Sequence, residues 1–152
     1  MEKIVLKLYE FYALEAELNG LTNQQTGEVI SKGLLGEKLK LVTKYWLNDL
    51  IKKVTDVKKD CESLKEEIIK KHGSSDDQGN YSIQMYINQV MDESGKMISG
   101  DPNPEFIQFQ TEYNALLQEE RELEYKQLSI DILDGIESEG NYPVFFTLLQ
   151  NA

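Results

Sequence analysis

The chain has 152 residues, with 16 basic and 27 acidic side chains, one His, one Cys, one Trp and three Pro. That length fits a single domain, and 40% hydrophobic with 28% charged residues excludes global disorder. A lone Cys61 excludes an intramolecular disulfide and suits a reducing compartment, and one His excludes a multi-His metal site. No stretch approaches the roughly 20 apolar residues of a spanning helix. The start, MEKIVLKLYEFY, carries acids and tyrosines within its apolar pattern and does not read as a signal peptide. Charge is uneven. Residues 1–72 hold 13 Lys and 12 acids, whereas residues 73–152 hold three cations and 15 acids. The second half therefore lacks the clustered cations of direct DNA binding.

In chain order, residues 1–18 read as a helix, with Ile4, Leu8, Phe11 and Leu18 on one stripe widened by Val5, Tyr12 and Leu14. Asn19-Gly20 closes it, and NGLTNQQTG forms a polar connector. Residues 28–72 read as a long helix interrupted near Gly33 and Gly36. Within it Leu47, Leu50, Val54, Val57, Cys61, Leu64 and Ile68 repeat at spacings of 3 and 4, a heptad seam that must meet another helix. Such a helix exceeds one small core, so the seam is expected to join copies into a homo-oligomer. Residues 81–99 read as a β-hairpin, because Tyr81, Ile83, Met85 and Ile87 alternate with polar neighbours. Asn103-Pro104-Glu105 opens a helix over 104–128, with Phe106, Phe109, Tyr113, Leu116 and Leu123 on its stripe. Residues 129–152 form a C-terminal tail with a short docking helix in PVFFTLLQ. The fold class that follows is mainly α with a small β-hairpin: a single domain of long amphipathic helices packed as a helical bundle across subunits.

Few groups carry chemistry. The carboxylate pairs Glu66-Glu67, Asp76-Asp77, Glu119-Glu120 and Glu122/Glu124 fall on solvated faces or in a loop, where nothing separates their ionisation as acid–base work requires. Asp76-Asp77-Gln78-Gly79-Asn80 lacks the alternating ligands and closing Glu of a calcium loop. His72 ends a helix, where a cation complements the dipole, and Cys61 packs in the seam. Gly27, Gly33 and Gly36 match no phosphate-loop pattern. No catalytic residue, metal or cofactor is expected. The group with ligand-binding character is Asn23, Gln24, Gln25 and Thr26 with Lys38, Lys40, Lys44, Tyr45 and Trp46: amides and hydroxyls for hydrogen bonds, lysines for an anion, flat rings for stacking. For Trp46, burial in the seam competes with that role.

Taken together, FYALEAELNGLTNQQTGEV, GLLGEKLKLVTKYWLNDL, EEIIKKHG and NYPVFFTLL resemble a family of small helical proteins encoded by tailed bacteriophages, notably gut phages. The resemblance covers most of the chain and transfers no functional residues. It implies a viral origin, and small phage proteins without enzyme motifs act largely by binding; with the heptad seam and the lack of catalytic groups, a non-enzymatic oligomeric binding protein is expected. The expected role is host-directed in the cytoplasm of the infected bacterium, antagonising anti-phage defence by sequestering a nucleotide signal or binding a defence protein. The alternative is a virion structural or assembly component, with other virion proteins as partners.

Overall fold

The computed structural model describes residues 1–134, 136 and 142–149. Its elements are β1 (Glu2–Lys7), α1 (Leu8–Asn19), β2 (Leu21–Thr22), β3 (Val29–Ser31), α2 (Leu41–His72), β4 (Ser74–Ser75), β5 (Tyr81–Ser82), β6 (Tyr86–Met91), β7 (Met97–Pro102), α3 (Pro104–Leu117), β8 (Glu120–Tyr125) and α4 (Pro143–Phe146). Short 3-10 turns lie at Leu34–Gly36 and Ile130–Leu133. The mainly α bundle with a single hairpin is corrected: the described residues are about 48% helix and 24% strand, the strands forming four two-stranded antiparallel sheets.

Each departure has a physical cause. In β1, Leu6 is buried while Val5 is 56% exposed, so residues 2–7 follow a period of two rather than 3.6. Their partner is β8, in the register Ile4↔Leu123 and Leu6↔Arg121. The expected helix over 104–128 therefore stops at Leu117. Glu120, Glu122 and Glu124 alternate outward against buried Leu123 and Tyr125. A helix continued from Leu116 to Leu123 would put the charged Glu120 on its apolar stripe, and the strand removes that conflict. Opposite charges cross the ladder, with Lys3 3.4 Å from Glu122. The expected helix over 28–72 begins only at Leu41, because Val29–Ser31 pairs with Leu21–Thr22. That hairpin is seated by two glycines at close approach. A Cβ on Gly33, at φ +73°, would stand 2.3 Å from the Gly20 nitrogen. The hairpin expected at 81–99 is two hairpins, β4–β5 and β6–β7. In the C-terminal tail, residues 135, 137–141 and 150–152 lie outside the described residues; the docking helix is present as α4.

The chain divides into two compact units: residues 1–59 with 118–152, and residues 60–117. Helix α2 gives its first part to one unit and its last part to the other. The first unit holds the core, in which Leu6, Phe11, Leu14, Leu18, Leu34, Leu47, Leu50, Val54, Leu123 and Phe145 are buried. Burying an aliphatic or aromatic side chain of this kind is worth about 1.5–3 kcal/mol. Helix α4 is held there by Glu17, whose carboxylate accepts the N–H groups of Val144 (3.3 Å) and Phe145 (3.0 Å). Burial raises the Glu17 carboxyl above its ordinary range, and the two N–H bonds partly oppose that. The second unit buries one residue, Cys61.

Candidate functional site

The predicted ligand group falls in the first unit on two separate elements. Asn23 to Thr26 form the turn between β2 and β3, and their polar atoms build it. The Asn23 Oδ1 accepts the N–H groups of Gln25 (2.9 Å) and Thr26 (3.3 Å), and the Thr26 hydroxyl accepts that of Glu28 (3.3 Å). Gln24 and Gln25 are exposed. Lys38 and Lys40 are exposed ahead of α2, Lys44 lies half-buried in its first turn, and Tyr45 is 65% exposed. Trp46 is half-buried. It lines a small cleft with Leu47, Leu50, Tyr125 and Phe145, its ring edge-on to Tyr45 at 4.9 Å and under the Lys126 ammonium at 6.0 Å. Trp46 thus faces the core while Tyr45 faces solvent. The Asn23 and Thr26 oxygens are spent on the loop's own backbone, and the exposed Gln24 and Gln25 and the lysines with Tyr45 remain available.

The predicted seam splits in the same way. Leu47, Leu50, Val54 and Val57 are buried in the first unit and Cys61 is buried at the start of the second, whereas Leu64 is 45% exposed and Ile68 half-buried. The core of one chain therefore accounts for five of the seven positions. The last two, joined by Leu116 of α3, floor a groove of about 420 Å³ rimmed by Glu67, Lys71 and Glu112.

Beside this groove the sequence reading missed a charged clamp. The His72 side chain is 5% exposed, its Nδ1 2.6 Å from a Glu105 oxygen and its Nε2 2.9 Å from a Glu112 oxygen. With a carboxylate at each ring nitrogen, both bonds are made when both nitrogens donate, so the arrangement favours the imidazolium form of His72. Glu105 chiefly, then Glu112, raises it above its ordinary value. Glu112 also pairs with Lys71 at 2.8 Å and is lowered by Lys71 and His72. The signal was available as His72 at the helix end with Glu105 and Glu112 seven apart on one face of α3. What hid it was their separation of more than 30 residues from His72. A polar hollow of about 170 Å³ adjoins the clamp, lined by Ser74, Ser82, Gln84 and Asn103. Since both His72 nitrogens are occupied, the clamp positions α3 and offers no free base to a substrate.

Two further carboxylates are structural. Asp76 Oδ1 accepts the N–H groups of Gln78 and Asn80, both at 2.9 Å, stapling the β4–β5 turn, and Asp92 does the same at the β6–β7 turn. Hydrogen bonds hold both carboxyls below their usual range, the Asn80 N–H first for Asp76 and the Ser94 hydroxyl, donating at 2.7 Å, first for Asp92. Among the described residues no group of three or more His, Cys, Asp or Glu is placed to hold a metal ion. No described helix is long and apolar enough to cross a membrane. The hairpin β6–β7 is exposed along both strands, presenting Tyr86, Ile87, Val90, Met91, Met97 and Ile98.

No family model, curated protein or solved structure matches the chain.

Proposed function

We propose that the chain is a phage-encoded, non-enzymatic, oligomeric binding protein directed at a host component, and that it holds an amphipathic helix of a host defence protein in the groove of the second unit. The groove floored by Leu64, Ile68 and Leu116 carries this reading. It continues a heptad stripe whose earlier positions are already buried, so it offers a helix-spaced apolar strip with charged edges, the geometry of helix-in-groove recognition. A protein ligand is favoured over a nucleotide signal because Asn23 and Thr26 spend their oxygens on the turn. The clamped His72 and the stapled aspartates support a binding rather than a catalytic role.

The test places a photo-crosslinking residue at Leu64 in the infected host. The expected result is one host protein joined in near-stoichiometric yield, lost together with the protection from defence when Leu64 and Ile68 are changed to Ser. Adducts confined to virion proteins, with the chain stoichiometric in purified virions, would replace this reading with that of a virion component.

A further inference from the structure

The start of α2 leaves apolar side chains in water for no internal reason. Leu41 is 86% exposed, Val42 70% and Tyr45 65%, the largest such values among the exposed apolar residues apart from those near Ile30 and Ile98. Residues 41, 42 and 45 occupy adjoining positions of one helical arc. Lys38, Lys40 and Lys44 surround them, and no acid occurs between residues 38 and 48. The first turn of this 32-residue helix carries no acidic side chain to meet the positive end of its dipole. In a chain of net charge −11, this end of α2 is a basic, apolar patch.

The second unit carries the complementary surface. Its residues 60–117 hold eleven acids against four lysines, and the hairpin β6–β7 holds Asp92, Glu93 and Asp101 against Lys96. The hairpin's exposed apolar residues are interleaved with that charge. Ile87 stands opposite Asp101 in the β6–β7 ladder, so both project from one face, and Asp92 and Glu93 form the tip. One surface is cationic and aliphatic, the other anionic and aliphatic. Two copies meeting through the same patch would bring like charges together, whereas unlike patches attract and also bury apolar area.

We propose that the basic end of α2 in one copy docks on the acidic hairpin β6–β7 of a second copy. Made once per pair of copies, this contact is heterologous and generates rings or open chains; made twice and reciprocally, it closes a two-fold dimer. It rests on the oligomeric part of the proposed function and relocates the oligomer contact from the heptad seam to these two patches. It leaves the groove at Leu64 free for another partner.

The experiment compares the full chain with two charge-reversed variants, Lys40→Glu/Lys44→Glu and Glu93→Lys/Asp101→Lys, by light scattering after size exclusion. Concentrations up to about 100 µM saturate a low-micromolar contact. All four positions are solvent-facing or half-buried, and circular dichroism with Trp46 fluorescence checks that each variant folds. The unmodified protein is expected to associate, and to lose association between about 50 mM and 500 mM salt as the charges are screened. Each variant alone is expected to run as a monomer. Mixed in equal amounts they are expected to associate again, because the intact hairpin of one meets the intact helix end of the other. An oligomer that persists in both variants would overturn this contact while leaving oligomerisation standing; a monomeric unmodified protein would overturn both. Variants that stay monomeric when mixed, or unmodified protein that binds anionic vesicles through Lys40 and Lys44 without self-association, would likewise overturn it.

Discussion

Residues 5 and 6 separate the strand from the helix at the start of the chain. On a helix over 1–18, Val5 lies on the apolar stripe and Leu6 lies off it. In β1 the order inverts, with Leu6 3% exposed and Val5 56% exposed. Leu6→Ala removes a buried side chain packed on the pleated face shared with Leu123, and such truncations cost about 2–5 kcal/mol. Val5→Thr keeps the β-branch at a solvent-facing position, where changes stay within about 0.5 kcal/mol. Urea unfolding followed by Trp46 fluorescence reads the unit in question, because Trp46 lies against Leu47, Leu50, Tyr125 and Phe145. With a urea slope of about 1–3 kcal/mol/M, Leu6→Ala should lower the midpoint by roughly 1–3 M, and Val5→Thr should leave it nearly unmoved. A larger loss for Val5→Thr than for Leu6→Ala would refute the strand and restore the helix.

The clamp at His72 gives a pH prediction of definite sign. The His72 value is raised above its ordinary 6.5, so its stabilisation is fully present below 6.5 and is lost as pH rises through the folded value. Glu112 is lowered from its ordinary 4.5, so its share is present above 4.5 and is lost as pH falls through its folded value; the clamp is therefore strongest between the two. As the single histidine, His72 can be titrated by NMR without assignment: a midpoint above 6.5 that falls in Glu105→Gln is expected, and one at or below 6.5 contradicts the clamp. For the glycine contact, Gly27→Ala, at φ +74° with open space around it, should cost only the left-handed backbone penalty of about 1–2 kcal/mol. Gly33→Ala, at φ +73° and 2.3 Å from the Gly20 nitrogen, should cost distinctly more; equal thermal shifts for the two would remove the close approach from the account.

Periodicity alone determined those parts whose neighbours in space are also neighbours in sequence. The stripe from Leu47 to Val57 is a local pattern, and it is buried as a helix face should be. Asn103 accepts the Glu105 N–H at 3.1 Å and Pro104 opens α3, as a cap and first-turn proline predict. For the candidate site, the lysines and Tyr45 were legible as an exposed basic and aromatic group because composition along one helix turn needs no partner to be read. The tertiary structure decided the rest. Residues 2–7 are short and compatible with either period, and their strand exists because ERELEY lies more than 110 residues away to pair with it. The Asn23 and Thr26 oxygens could face a ligand or the chain's own backbone, and only the turn geometry assigns them to the latter. His72 acquired its charge from Glu105 and Glu112, which no spacing within α2 reveals. The seam could not show where it ended: burial stops after Cys61 because the core that covers Leu47 to Val57 belongs to the first unit, and Leu64 and Ile68 pass beyond it into the groove.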